Sequence, residues 1–165
     1  MSGRLVQQGD INTALQVNGA IINARPTFAM PLKIQRYYLY CERGQGIPEM
    51  EYQLLDRDIN LFKPHLTSNA LDIFLRTYRD RGCNFINLEK ILKPLMLWSD
   101  SNRETGSLST TQLWDLDYYL TGMLILLGRE QEAISRLKML AGAGGEGAAF
   151  LLSEVGKTDK IFQIK

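Results

Sequence analysis

The chain has 165 residues, of which 45% are hydrophobic and 22% charged, and its formal net charge is +1. This length allows one domain with a core large enough to fold without a disulfide or a metal, and the composition is that of an ordinary globular protein. The near-neutral charge excludes a general attraction to nucleic acid or to anionic membranes, so that any such affinity requires a local patch.

Residues 1–30 are polar and rich in Gln and Asn, and they admit two interpretations. In one, Leu15 and Val17 belong to a short strand, and the following Asn18-Gly19 pair is typical of a tight hairpin turn. In the other, Asp10 caps a helix that includes Leu15, with Asn18-Gly19 as a weak point. We predict the extended arm or hairpin. Because an isolated hairpin is only marginally stable in water, we expect it to lie on its own domain or on a neighbouring subunit.

The next segment carries apolar residues mainly at helical spacing. The stretch 32–43 fits a helix face and a strand almost equally well, and the proline before it and Gly44 after it favour the helix. Pro48 opens a second predicted helix, because proline is favoured in a first helical turn. Pro64 ends this helix, because a residue that precedes proline is disfavoured in helical conformation.

Two further helices are predicted before residue 99. Thr67 or Ser68 caps the first, because a hydroxyl there accepts a hydrogen bond from an otherwise unpaired amide, and Gly82 ends it. Residues 84–98 carry the second. Pro94 lies inside it and predicts a kink or a break, because proline removes one hydrogen bond and clashes with the preceding turn.

Three stretches of the C-terminal half lack a long helical pattern. Residues 99–110 are polar and are predicted to form an exposed, mobile loop. Residues 141–147 are rich in glycine and predict a break between helices, after which 148–155 form a short helix. The apolar residues of the tail 157–165 fit a half-turn of helix, a short strand or an anchor that docks elsewhere.

Residues 109–141 carry the clearest pattern in the chain, that of two amphipathic helices joined by a glycine corner. Ser109 and Gln112 have the spacing of a capping box, and leucines recur after them at steps of three and four. Gly128 stands where the left-handed residue of a helix C-terminus belongs. Because the corner is short, we expect the two helices to be antiparallel neighbours.

The corner sequence Leu-Leu-Gly-Arg-Glu-Gln-Glu-Ala-Ile, residues 126–134, resembles the corner of a tetratricopeptide hairpin. In that family a glycine precedes a small alanine of the second helix by five residues, as Gly128 precedes Ala133. The resemblance covers one hairpin, with no second copy at the family's period of 34 residues, and it implies a helical hairpin. Glu132 and Arg136 are four residues apart and predict an ion pair on the second helix.

We therefore predict an all-α fold. Residues 31–165 form a single helical domain, a bundle or array built around the antiparallel helical hairpin 109–141. Residues 1–30 form the polar arm or β-hairpin that precedes it.

Cys41 and Cys83 are the only cysteines, and they do not form a Cys-x-x-Cys pair. We expect two partly buried free thiols in a reducing compartment, and a single disulfide is the alternative, which no pattern in the sequence supports. The first 20 residues lack the unbroken apolar segment of a signal peptide. The longest apolar run, residues 118–127, is half the length that a membrane span needs. The expected location is therefore the cytoplasm, without a membrane span.

No constellation of residues predicts catalysis, a cofactor or a metal. The Gly-x-Gly-x-x-Gly match at 142–147 follows a predicted helix, whereas dinucleotide binding requires a strand there. The Gly-Lys-Thr at 156–158 lacks the glycine five positions earlier that a phosphate-binding loop needs. His65 is the only histidine, so no zinc site is expected. Asp115 and Asp117 are two residues apart and do not share a helix face.

Two basic–aromatic clusters, residues 36–43 and 76–81, mix cations with aromatic rings. Such groups can hold phosphates and stack on bases. If the tyrosines instead pack in the core, the arginines are solvated and support helix C-termini. The residues predicted to contact nucleic acid in this alternative are Arg36, Tyr38, Arg43, Arg76, Arg79 and Arg81.

The preferred functional prediction is a non-enzymatic protein-interaction or assembly protein, such as an adaptor, a chaperone or a structural subunit, which self-associates. It depends on the wide apolar arc of the central hairpin, the polar arm and the apolar tail, since arms and tails often complete their packing on a neighbour. Its partner is another protein or a second copy of the chain. The predicted interface residues are Leu15, Val17, Ile161, Phe162 and Ile164. Nucleic-acid binding is the alternative.

Overall fold

The computed structural model describes residues 10–25, 29–52, 64–105, 109–144 and 146–155. Within these ranges the chain is helical and contains no strand, which confirms the all-α prediction there. Residues 49–52 form a short helical segment. The longer helices are α1 (Ile11–Ala24), α2 (Ala29–Arg43), α3 (Pro64–Arg81), α4 (Leu88–Thr105), α5 (Thr110–Leu126), α6 (Glu130–Gly142) and α7 (Glu146–Glu154).

The chain divides into two compact units, Met1–Ile91 and Leu92–Lys165, which are described separately. The single domain predicted for residues 31–165 remains a prediction. None of the helices in the described ranges has the length and apolar character needed to cross a membrane.

The N-terminal hairpin prediction is wrong for residues 11–24, which form α1. Asp10 caps this helix, as the alternative interpretation had it: its carboxylate accepts hydrogen bonds from the Thr13 amide at 3.0 Å and the Thr13 hydroxyl at 2.7 Å. These bonds lower the pKa of the Asp10 carboxyl. Asn18 forms no turn because its fully buried amide group donates to the Leu32 carbonyl and to the Gln35 side chain, both at 2.9 Å.

In the N-terminal unit, α1 and α2 run in opposite directions. Arg36 donates to the Leu15 carbonyl at 2.8 Å, while Asn18, further along α1, reaches back to Leu32. The helices approach closely at Gly19, where a β-carbon would lie 3.4 Å from the Arg36 guanidinium. The pair that sequence analysis associated with a turn is therefore an interhelical contact.

Helices α2 and α3 run in the same direction. The Tyr37 and Phe74 rings lie 6.2 Å apart in the middle of the pair, and Glu42 and Arg81 form an ion pair of 2.9 Å at its C-terminal end. Parallel neighbours need a long connection, and residues 44–63 provide it. The core between the helices consists of Met30, Ile34, Tyr37, Leu39, Leu71, Phe74 and Leu75.

The prediction of free thiols is wrong in this structure, because Cys41 and Cys83 form a disulfide. Cys41 lies in the last turns of α2 and Cys83 follows the end of α3, so the common direction of the two helices brings both cysteines together. Gly82, with φ of +65°, turns the chain between the end of α3 and Cys83. Both sulfur-bearing residues are buried. Sequence separation alone gave no signal of this pairing.

Helix α3 begins at Pro64, one turn earlier than predicted, and Thr67 and Ser68 are buried inside it rather than capping it. Proline suits this first position because the amide it lacks would have no partner in the helix. The predicted helix that opens at Pro48 is observed only for residues 49–52, and the rest of it lies outside the described residues.

Of the kink or break predicted at Pro94, the break is absent, because helix α4 continues through Pro94 to Thr105. The predicted loop 99–110 is wrong for residues 99–105. The polar run has one face that packs. Ser99 is fully buried, and Arg103 reaches the carboxylate of Asp117 on α5. Residues 99–105 thus belong to an amphipathic helix with a polar contact face, and the pattern of polar residues had predicted a loop there.

In the C-terminal unit, the predicted capping box at Ser109 and Gln112 is present, and Gly128 has the predicted left-handed φ of +73°. Every residue of α5 from Leu116 to Leu124 is buried, as expected for a helix that is covered on several sides. In α7, Gly147 lies against the Trp114 ring so closely that a β-carbon there would overlap it.

Candidate functional site: an apolar groove in the N-terminal unit

The described part of the N-terminal unit contains an open groove with a volume of about 630 Å³. Helices α1, α2 and α3 each contribute one face to its lining. The apolar lining residues are Ile21, Pro31, Leu32, Leu66, Ala70 and Ile73.

The groove follows two turns of α2 and two turns of α3. On α3, Leu66, Ala70 and Ile73 are spaced at i, i+4 and i+7, which places them on one face. Leu32 and Tyr38 mark a similar length on α2. Seven residues of helix span about 10 Å, which is the length of the groove floor.

Two of the lining side chains are unusually exposed for large apolar residues. Leu66 retains 42% of its accessible surface and Ile73 retains 53%. They form a second apolar stripe on α3, distinct from the buried stripe of Leu71, Phe74 and Leu75. The spacing of Leu66, Ala70 and Ile73 was a signal available in the sequence, and it was missed because the stronger stripe accounts for the helix by itself.

Among the described residues of the lining, Arg25 is the only one with a charged side chain. It is exposed, and no acidic group among the described residues forms an ion pair with it. Since α1 and α2 are antiparallel, Arg25 at the end of α1 lies near the beginning of α2. Tyr38 lies two turns further along α2, where burial and the nearby Glu42 carboxylate raise the pKa of its hydroxyl. The groove therefore has a cationic end and a phenolic end.

The structure places Arg36, from the first basic–aromatic cluster, largely inside the N-terminal unit. Its guanidinium contacts Glu51 at 2.5 Å and lies over the Tyr40 ring, 5.9 Å from the ring centroid. Its hydrogen bond to the Leu15 carbonyl links α2 to α1. Arg43 is exposed at the end of α2.

Acidic partners accompany the arginines of the second basic–aromatic cluster. Arg76 pairs with Asp72 at 3.1 Å, and Arg79 pairs with its neighbour Asp80 at 3.0 Å. Arg81 pairs with Glu42, as described above. These carboxylates offset the positive field that attracts phosphates. Nucleic-acid binding stays a prediction, and no arrangement of these side chains favours it.

The predicted interface residues fall into two groups. Leu15 is buried in the N-terminal unit and Val17 is half-buried there, so neither offers a large free surface. Ile161, Phe162 and Ile164 lie outside the described residues, and their predicted role stays a prediction.

A second polar cluster lies in the C-terminal unit around the Asp117 carboxylate, whose side chain is 3% exposed. Arg103 donates to it at 2.7 and 2.8 Å, and Arg136 donates to it at 3.1 Å while also contacting Asp100 at 2.8 Å. Arg136 thus contacts these acids, whereas Glu132, its predicted partner, pairs with Arg129.

This cluster joins α4, α5 and α6 and balances two cations with two carboxylates. A cavity of about 430 Å³ beside it is lined in part by Arg103, Trp114 and Asp117. The charges of the cluster contact one another and so link the three helices. Within the described ranges, no group of three His, Cys, Asp or Glu side chains is placed to hold a metal ion.

No protein-family model, curated protein or solved structure matches this chain.

Proposed function

We propose that this chain is a non-enzymatic protein-interaction protein, an adaptor, chaperone or subunit, that receives an apolar segment of another polypeptide in the groove of α1, α2 and α3. The observation that carries the proposal is the continuous exposed stripe of Leu66 and Ile73 beside Leu32 and Ile21. Large apolar surfaces that face solvent in a folded protein commonly mark interaction sites, because water leaves them when a partner binds.

The shape of the groove supports a polypeptide as the occupant. It is open along one side and about 10 Å long, as two turns of its helices require. An apolar groove between helices is a common site for the apolar face of a peptide. Ile21, Leu32, Leu66 and Ile73, on three helices, would contact such a face.

Ile73→Glu is the variant that tests this proposal. The side chain is more than half exposed, so the fold tolerates the change, whereas a carboxylate in the groove lacks a partner and repels an apolar face. A fluorescein-labelled 18-residue peptide with leucines at i, i+3, i+4 and i+7 is the probe, and fluorescence anisotropy measures its affinity. We expect roughly tenfold weaker binding to Ile73→Glu than to the unmodified protein.

Leu97→Glu is the matched control, because Leu97 is 68% exposed and lies outside the groove. It introduces the same glutamate at an exposed apolar position and makes the same change in net charge, and we expect it to bind the peptide like the unmodified protein. An equal loss of affinity for the peptide in both variants, or no loss of affinity in either, would contradict the proposal.

Self-association is tested separately by light scattering of the same proteins. If the unmodified chain is a dimer and Ile73→Glu is a monomer while Leu97→Glu remains a dimer, the groove receives a second copy of the chain. If all three have the same mass, the groove does not mediate self-association, and the peptide titration alone decides the proposal.

A further inference from the structure

From the position of Arg25 we infer that the partner segment is an amphipathic helix carrying a carboxylate at one end of its apolar stripe, and that this carboxylate pairs with Arg25. The inference rests on the proposed function and names the kind of segment that the groove accepts.

The helical form of the partner follows from the length and spacing of the groove floor. Its apolar contacts recur along eight residues of α3, from Leu66 to Ile73. A helix laid along this floor presents its own side chains at i, i+3, i+4 and i+7 over the same 10 Å or so. An extended segment covers only about three residues in that distance, and alternate side chains point away from the floor.

The carboxylate follows from the charge at one end of the groove. Arg25 is the one charged group in the described part of the lining and has no acidic partner among the described side chains, in contrast to Arg36 and Arg81 of the same unit. Both α2 and α3 begin at this end of the groove, and the N-terminus of each helix carries a partial positive charge. The partial negative charge at the C-terminus of α1 offsets part of this positive charge. The guanidinium thus provides the net attraction for an anionic group.

Two labelled 18-residue peptides test the inference. Both carry the same leucine stripe, one with Glu and the other with Lys at each end of the stripe, so that the direction of the bound helix does not matter. At low salt we expect the unmodified protein to prefer the Glu peptide by roughly threefold to fivefold, the range of a partly exposed ion pair. The preference should fall as salt screens the pair.

Charge reversal at Arg25 provides the decisive comparison. Arg25→Glu is expected to prefer the Lys peptide, and Arg25→Gln is expected to bind both peptides equally. Arg43→Glu is the matched control, because Arg43 is also an exposed arginine of this unit and does not line the groove. It should keep the preference of the unmodified protein for the Glu peptide.

The outcomes separate this inference from the proposed function. If Ile73→Glu weakens the binding of both peptides but Arg25→Glu still prefers the Glu peptide, the groove binds polypeptide and the assignment of the carboxylate is wrong. If neither peptide binds and a fluorescent dodecanoate analogue binds to the unmodified protein but not to Ile73→Glu, the groove accepts an acyl carboxylate and both proposals are wrong. If Arg43→Glu also reverses the preference between the two peptides, the net charge of the protein sets that preference and the assignment to Arg25 is wrong.

Discussion

Asp117 shows what a single buried carboxylate does in this fold. It accepts hydrogen bonds from Arg103 and Arg136, which come from α4 and α6 on either side of α5 in the sequence. Removing one member of a buried charge cluster leaves the others without compensation in a medium that solvates them poorly. The stability of the C-terminal unit should therefore depend on this side chain far more than on its exposed neighbours.

Asp117→Asn is expected to lower the free energy of unfolding by roughly 3 kcal/mol, because two guanidiniums lose the charge that they share. Chemical denaturation followed by circular dichroism measures the change. Asp80→Asn is the control, since Asp80 is 64% exposed in its pair with Arg79 and should contribute at most about 1 kcal/mol. An equal effect of both substitutions would contradict a special role for Asp117.

Helix α4 and the helix pair α2–α3 show where prediction from sequence succeeded and where it could not. The periodicity of α2 and α3 predicted helices, and the structure has helices over Ala29–Arg43 and Pro64–Arg81. Residues 99–105 were predicted as a loop because their polar side chains resemble solvated ones, whereas Arg103 packs on another helix through its partner Asp117. Local sequence does not contain that partner.

The disulfide between Cys41 and Cys83 depends on the relative direction of α2 and α3, which no local pattern reveals. It closes a segment with a sequence separation of 42 residues. By loop-closure entropy, such a crosslink stabilises the folded state by about 4 kcal/mol or less. The crosslink therefore holds together the two helices that form the groove floor.

Alkylation of the denatured protein without a reductant, followed by mass spectrometry, is expected to find no free thiol. Reduction should then lower the denaturation midpoint, since the unfolded chain regains the entropy that the crosslink removes. The Cys41→Ala/Cys83→Ala double variant is the control, and reductant should leave its midpoint unchanged. Two alkylated thiols in the untreated protein would contradict the disulfide.

For the whole molecule, composition and periodicity were sufficient to predict an all-α chain, the capping box of α5 and the glycine corner after it. They were not sufficient to predict the groove. Its lining combines α1, which was predicted as an arm or hairpin, with two helices whose common direction depends on a long connection. The apolar stripe of Leu66, Ala70 and Ile73 was visible in the sequence, but its exposure appears only when the three helices are assembled.

Methyl NMR of the isoleucine-labelled protein tests the central claim most directly, because isoleucines lie both in the groove and away from it. During titration with the leucine-stripe peptide, we expect the methyl signals of Ile21 and Ile73 to shift. Those of Ile34, which is fully buried in the same unit, and Ile134, on α6, should stay in place. Shifts at Ile134 with none at Ile21 and Ile73 would show that the polypeptide binds elsewhere and would contradict the proposed function.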